Sequence, residues 1–161
     1  IDYRLSNSSK KKFGGGVLLE LSHEIDLVNY LFKLKKIKSI FNSKISNLKI
    51  QTDDILNFNS LCKKVKFCTV NLNFFDRHKE RKIKIVGKTY TLEGDLISNI
   101  ILLKKQKSTI LRKFKIDNNY TYKKIHYSLI KGNYKNICTL KEGLKIMKFI
   151  YQIKNWNDKK K

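Results

Sequence analysis

Apolar residues recur at every second position through the middle of this chain, from about residue 36 to residue 116. This period is typical of strands that bury one face and leave the other in water. The pattern predicts an open, mainly antiparallel or mixed sheet of about six strands, with helices packed on one face. Phe67 and Cys68 interrupt the alternation, so we expect a bulge there or burial on both faces. The alternating positions are Ile37/Phe41, Leu56/Phe58, Cys68/Val70/Leu72/Phe74, Ile83/Ile85 and Ile110/Phe114/Ile116.

Helical spacing of apolar residues flanks this region on both sides. It predicts one helix over about residues 16–32 and a second over residues 120–131 that stops near Gly132. A third helix begins at Thr139, because Thr139 and Glu142 have the spacing of a capping box. One helix before the sheet and two after it correspond to the α+β class. We expect the buried stripe of the last helix to consist of Leu140, Leu144, Met147 and Tyr151.

Three glycines at residues 14–16 run directly into the first predicted helix. Glycine permits close approaches that other residues prevent, so we expect an anionic ligand against the free N–H groups of the helix start. His23 and Asp26 are three residues apart and project from one helix face. Such a pair suits acid/base chemistry, and it is also typical of a solvated pair near a helix N-terminus. The spacing alone leaves both interpretations open.

The segment Gly-Gly-Gly-Val-Leu-Leu-Glu-Leu-Ser-His-Glu-Ile-Asp at residues 14–26 resembles part of the Gfo/Idh/MocA family of NAD(P)-dependent sugar oxidoreductases. That family carries GGG-x-L-x-D-x-(G)-x-H-x-x-D where the first helix of its C-terminal domain begins. Residues 2–4 and 8–11 are similar to the family's lead-in, and residues 83–87 and 90–95 to a pair of its strands. Residues 139–144 are similar to the start of its last helix, so the resemblance covers nearly the whole chain in order.

The resemblance implies that residues 1–161 are a single domain, the C-terminal, substrate-binding and oligomerising half of a longer oxidoreductase. Family members begin with a Rossmann domain that carries G-x-G-x-x-G and a catalytic lysine in Glu-Lys-Pro, and this sequence contains neither motif. We therefore expect NAD or NADP in the full-length enzyme, and neither cofactor nor activity for this chain alone. The implied partners are its own Rossmann domain, a small sugar, sugar acid or nucleotide-sugar, and a second copy bound through the open sheet face.

The same resemblance implies a catalytic role for three residues. His23 corresponds to the family's histidine, which positions and deprotonates the reacting sugar hydroxyl while the cofactor accepts hydride. Glu20, three residues earlier, stands near the place where the family has an aspartate, and its longer side chain moves the carboxylate. Asp26 is expected to orient His23 or to cap local structure rather than to react.

Three further residues are candidates for binding substrate. Tyr3 and Arg4 correspond to the stretch that passes the substrate pocket in the family, where Arg4 would hold a carboxylate or phosphate. Arg77 lies in a predicted loop at the end of a strand, and loops often carry ligand contacts. No His/Cys cluster has the spacing of a metal site.

A formal net charge of +23 would by itself indicate a partner such as nucleic acid or another anionic surface. However, 32 of the 36 basic residues are lysine and only 4 are arginine, the residue favoured for bidentate phosphate and base contacts. The lysines are also spread along the chain. A non-enzymatic basic module that binds RNA or another polyanion remains the alternative function, with nucleic acid disfavoured.

Three cysteines, Cys62, Cys68 and Cys138, lack the C-x-x-C spacing of zinc hooks and redox pairs. They indicate reduced thiols that fill apolar space in a cytoplasmic protein. No run approaches 18 apolar residues, so we expect no membrane segment.

Overall fold

The computed structural model describes residues 6–117, 119–135 and 137–156. Within these ranges the chain forms seven strands in two antiparallel sheets, with helices before and after the strands. The α+β class, the antiparallel pairing and the order of helices and strands are therefore confirmed. The strands are divided between two compact units, residues 1–76 with 138–161, and residues 77–137.

The elements follow one another in a simple order. Two short 3-10 helices, Asn7–Ser9 and Lys11–Phe13, lead into the first α-helices. In chain order the others are α1 (Val17–Glu20), α2 (Ser22–Phe32), β1 (Leu34–Ser43), β2 (Ile55–Cys62), β3 (Phe67–Asn73), β4 (Lys82–Val86), β5 (Tyr90–Asp95), β6 (Ile100–Lys105), β7 (Ser108–Lys113), α3 (Tyr120–Ile130) and α4 (Leu140–Lys154).

The core of the first unit lies between one face of the sheet β1-β2-β3 and the helices α1, α2 and α4. The central strand β2 alternates between buried and half-buried residues, and Leu56, Phe58 and Ser60 are its buried members. Phe58 meets Phe149 of α4 edge-on, with the ring centroids 6.0 Å apart. The aromatic contact ties the last helix to the middle of the sheet.

A bulge in β1 changes which side chains reach this core. The register with β2 shifts between Ile37 and Ser39. Because a bulge adds one residue to one strand, it reverses the alternation that follows. Ile37 is buried as predicted, but Phe41 is exposed, and Ile40 packs against the core instead.

Neither the bulge nor the burial on both faces that was expected at Phe67 and Cys68 is present, so this prediction is wrong. β2 and β3 pair without a shift from Ile55 opposite Asn73 to Leu61 opposite Phe67. Phe67 is exposed, whereas Cys68 packs against the core. The two adjacent apolar residues simply point to opposite faces, as they do in any regular strand.

α4 begins where the capping box predicts. Thr139 Oγ1 accepts a hydrogen bond from Glu142 N at 3.3 Å, and Glu142 Oε2 accepts one from Thr139 N at 2.9 Å. The predicted buried stripe of this helix is wrong, because Ile146, Ile150 and Ile153 face the core. Both stripes are apolar with helical spacing, and the sheet covers only one of them. The exposed stripe is Leu140, Leu144, Met147 and Tyr151.

In the second unit, β4 to β7 pair with their neighbours in chain order. β7 ends at Lys113, so the alternation predicted through Phe114 and Ile116 runs past the strand. α3 ends as predicted, and Gly132 follows it with a φ of +64°, a left-handed conformation that glycine adopts without strain. In the described part of the chain, no helix has the length and apolar character needed to cross a bilayer.

Candidate functional site

The glycines at residues 14–16, called the glycine turn from here on, bring two other parts of the chain into close contact. A Cβ on Gly15 would lie 1.8 Å from the backbone oxygen of Ser8, and one on Gly16 would lie 2.3 Å from Asp53 Oδ1. Gly16 also has a φ of +113°, which side chains with a Cβ rarely adopt. The close approach expected at the glycine turn is therefore present, but the approaching groups belong to this chain.

Asp53 fills the position at the start of α1 where an anionic ligand was expected. The Asp53 carbonyl accepts a hydrogen bond from Val17 N at 3.0 Å, and Asp53 Oδ2 accepts one from Leu18 N, also at 3.0 Å. A carboxylate here satisfies free N–H groups and suits the positive end of the helix dipole. The prediction of a ligand at these N–H groups is corrected: the anion is Asp53, which sequence reasoning missed.

Asp54, the next residue, is fully buried and holds the loop after β1. Its oxygens accept hydrogen bonds from Ile45 N at 2.8 Å and Ser46 N at 3.0 Å, and Lys44 Nζ lies 3.3 Å away. Burial opposes ionisation, but hydrogen bonds from Ser46, Ile45 and Lys44 outweigh it and lower the pKa of Asp54. In the sequence, these two roles are indicated only by two consecutive aspartates, Asp53 and Asp54, directly before a strand.

His23 lies in the first turn of α2, and its side chain is 59% exposed. The predicted helix over residues 16–32 is broken at Leu21, so Glu20 ends α1 while His23 belongs to the next helical segment. The carboxylate in contact with the imidazole is Glu24, whose Oε1 lies 3.2 Å from His23 Nε2. Glu24 was not predicted, although it is the neighbouring residue in the sequence.

Asp26, expected to orient His23, lies near the start of α4. Burial, followed by the negative charges of Asp26 and Glu142, raises the pKa of the Cys138 thiol. Glu20 is exposed. His23 is thus exposed and in contact with Glu24, and its catalytic role stays a prediction.

Of the three predicted substrate-binding residues, the structure describes only Arg77. Tyr3 and Arg4 lie outside the described residues. Arg77 is exposed in the loop before β4, within the second unit.

A cavity of about 430 Å³ lies on the sheet of the second unit, and none of the predicted site residues lines it. Its wall includes Lys84, Glu93 and Leu102. A hydrogen bond from Lys104 lowers the pKa of Glu93. Within the wall, Lys84 Nζ lies 3.7 Å from Glu93 Oε1, so these two opposite charges are paired.

Within the described residues, the structure shows neither a set of metal ligands nor a reactive thiol in the core. No group of three or more His, Cys, Asp and Glu residues there has the geometry to hold a metal ion. All three cysteines are free thiols. Burial raises the pKa of Cys68 to about 12 and also raises that of Cys62. Since the thiolate is the reactive form, both thiols are poor nucleophiles.

No protein-family model and no curated protein matches this sequence. The fold, in contrast, is shared with solved oxidoreductases. UDP-N-acetylglucosamine 3-dehydrogenase GnnA from Acidithiobacillus ferrooxidans aligns with a TM-score of 0.68 at 12% identity, over 85% of this chain and 45% of that one. Aldose-aldose oxidoreductase from Caulobacter crescentus aligns with a TM-score of 0.70 at 15% identity, over 95% and 50% of the two chains.

A third solved structure is the WlbA dehydrogenase from Bordetella pertussis in complex with NADH and UDP-GlcNAcA. It aligns with a TM-score of 0.60 at 15% identity, over 87% of this chain and 45% of that one. The chain therefore spans about half the length of these enzymes. At such low identity the likeness establishes the fold, and the fold is one that occurs in sugar and nucleotide-sugar oxidoreductases.

Proposed function

We propose that this chain is the substrate-binding and oligomerising half of an NAD(P)-dependent oxidoreductase that acts on a sugar, sugar acid or nucleotide-sugar. The observation that carries the proposal is the fold, which is shared over 85–95% of the chain with oxidoreductases named for such substrates. We place the enzyme in the Gfo/Idh/MocA family and in the cytoplasm. The other half of such an enzyme would be an N-terminal Rossmann domain.

The chain's own residues do not form a nucleotide cradle at the glycine turn. Asp53 already accepts hydrogen bonds from the N–H groups of Val17 and Leu18, and its carboxylate occupies the space next to Gly16 that a phosphate would need. NAD or NADP, which accepts or supplies hydride, is therefore assigned to the Rossmann domain. This chain alone is expected to bind no cofactor and to be inactive.

His23 is proposed as the group that accepts the proton of the reacting sugar hydroxyl. Its exposure lets a ligand reach the imidazole, and Glu24 Oε1 lies 3.2 Å from Nε2, where it can hold the ring in place. Glu20 and Asp26 are proposed to support the site from neighbouring positions. Tyr3, Arg4 and Arg77 are proposed to bind the substrate, with the arginines facing its carboxylate or phosphate.

Oligomerisation is proposed to use the sheet of the second unit. One face of β4–β7 carries apolar side chains that are only half-buried in the single chain. The outer face of β1–β3 instead carries polar residues such as Asn57, Asn59 and Asn71. Burying an apolar face against a second copy stabilises a dimer more than burying amides does. The apolar residues are Ile83, Ile85, Leu92, Ile101 and Leu103.

A basic module for RNA or another polyanion remains the second candidate, because lysines converge at one end of the first unit. Lys63 N donates to the Lys33 carbonyl at 2.9 Å, which brings the β2–β3 turn to the end of α2. The exposed lysines there are Lys33, Lys35, Lys36, Lys38, Lys63, Lys64 and Lys66. This function predicts a steep fall of affinity with salt, which an oxidoreductase domain does not require.

The test of the main proposal is an assay of the chain joined to its upstream coding sequence, with NAD, NADP and a panel of sugars and nucleotide-sugars. We expect turnover that depends on His23 and no turnover by residues 1–161 alone. Turnover by the isolated chain, or full activity of a His23→Asn variant, would contradict the proposal. Tight, salt-steep RNA binding by a long form without turnover would support the second candidate.

A further inference from the structure

α4 carries a second apolar stripe on the side that faces away from the core. Its inner side chains, Ile146, Ile150 and Ile153, are buried. The outer stripe consists of Leu140, Leu144, Met147 and Tyr151, which are 82%, 52%, 54% and 69% exposed. Four large apolar side chains in one row on a surface helix mark a site of interaction rather than scattered exposure.

The helix presents this row on a rigid support. The capping box at Thr139 and Glu142 holds its start, and Phe149 packs on Phe58 of the sheet. The outer stripe is spaced four, three and four residues apart, which is the heptad spacing of a helix that packs lengthwise on another helix. The exposed row is therefore preorganised for a helical partner.

Positive charges frame the outer stripe. At 100° per residue, Lys141 and Lys148 lie along one side of it, and Lys154 lies on the other side near the end of the helix. The only acidic residue of α4, Glu142, is already engaged by Thr139. A partner that covers the stripe therefore meets lysine side chains along both of its edges.

Gly143 supplies space beside the same row. It precedes Met147 by one helical turn, and among the described residues no atom outside its chain neighbours and its own helix backbone lies within 4 Å of its Cβ position. Glycine inside a helix destabilises it by about 0.5–1 kcal/mol relative to alanine, and no described residue packs against Gly143 to offset this. A backbone that comes close to α4 at this point would make use of the gap.

We propose that the outer stripe of α4 is a docking surface for an acidic amphipathic helix of a partner protein. Leucine-like residues of that helix would cover Leu144 and Met147, while its flanking glutamates or aspartates pair with Lys141 and Lys148. A second copy of this chain fits less well at this stripe, because each copy would bring the same flanking lysines to the contact. This docking function is independent of the proposed oxidoreductase activity.

The probe is a synthetic three-heptad helix with Leu at positions a and d and Glu at e and g, and the control peptide carries Lys at e and g. Binding is measured by fluorescence anisotropy at about 150 mM salt, where long-range attraction is screened. We expect the Glu peptide to bind and the Lys peptide not to bind. Leu144→Ser and Met147→Ser should each weaken binding about tenfold or more, as buried central contacts do.

Ile130→Ser is the matched control, since Ile130 is an apolar residue of α3 that is 81% exposed and lies outside the stripe. It should leave the affinity unchanged, and all variants should melt as the parent chain does. Absence of binding, or equal binding by the stripe variants, would overturn the proposal. A dimer that dissociates in Leu144→Ser would also overturn it, because the stripe would then bind a second copy of this chain. Stripe-dependent binding to phosphatidylglycerol vesicles alone would overturn it as well, because the stripe would then bind a membrane.

Discussion

The carboxylate of Asp53 lies in the space that a side chain on Gly16 would need, with Oδ1 2.3 Å from the position of a Cβ. The same carboxylate caps α1 through Leu18 N at 3.0 Å. Glycine and aspartate therefore act as a pair that joins the start of α1 to the residues before β2.

Gly16→Ala is expected to lower the free energy of unfolding by about 1–3 kcal/mol, because it combines a strained φ with the contact to Asp53. Gly132→Ala is the control: its φ is also positive, but nothing lies near its Cβ, so strain alone costs about 1 kcal/mol. Urea unfolding measures both. A Gly16 variant no less stable than the Gly132 variant would contradict the steric argument.

Asp53→Ala is expected to cost about 0.5–2 kcal/mol, the usual range for loss of a helix N-cap. Asp53→Asn keeps an oxygen acceptor for Leu18 N and should cost less. Combining Asp53→Ala with Gly16→Ala tests the pair in a double-mutant cycle. We expect the double variant to be more stable than the sum of the two losses, since the shorter side chain relieves the contact. Strict additivity would show that the two residues act separately.

Gly143→Ala is expected to raise the free energy of unfolding by about 0.5–1 kcal/mol, because alanine restricts the unfolded chain and fits the helix. The site has room for the methyl group. Thermal and urea unfolding of the variant check this. A loss of stability would mean that the open space beside Met147 is filled in solution.

The ionised form of Asp54 is expected to stabilise the fold at neutral pH. Its pKa is lowered in the folded state, because hydrogen bonds from Ser46, Ile45 and Lys44 outweigh the burial that raises it. The stabilisation is therefore fully present above the unfolded pKa and is lost as the pH falls through the folded pKa. Unfolding free energies between about pH 2 and pH 6 should fall more steeply in the parent chain than in Asp54→Asn. Glu80→Gln, at an exposed carboxylate, serves as the control, and identical slopes in all three proteins would refute the role of Asp54.

His23→Asn, made in the full-length enzyme, is expected to lower kcat about 10²–10⁴-fold with a near-native melting temperature. The imidazole is mostly exposed, so its loss leaves the core unchanged. Glu24→Gln should lower kcat less, since that carboxylate only contacts the ring. The loss of kcat in Glu20→Gln should fall between the losses in His23→Asn and Asp26→Asn. The measurements are kcat/KM and Tm for each variant. Unfolding of His23→Asn with active Glu20 and Asp26 variants would make His23 a structural residue.

Patterns that depend on neighbouring residues could be read from the sequence. The start of α4 follows from Thr139 and Glu142, the end of α3 from Gly132, and the strands from period-two alternation. The exposure of His23 also follows, because His23 lies off the apolar stripe formed by Leu18, Leu21, Ile25 and Val28. Each of these features is set by groups within about one helical turn or along one strand, so local physics is sufficient.

Only the tertiary structure decided which of two apolar stripes of α4 is buried, because either stripe satisfies helical periodicity and the sheet has room for one. The same holds for the partition of seven strands into two sheets, which depends on pairing between distant segments. The sequence also did not show which group lies at the glycine turn, since Asp53 contacts Leu18 from 35 residues away in the chain. Contacts across such separations are selected by packing of the whole unit, and no local pattern encodes which partner arrives.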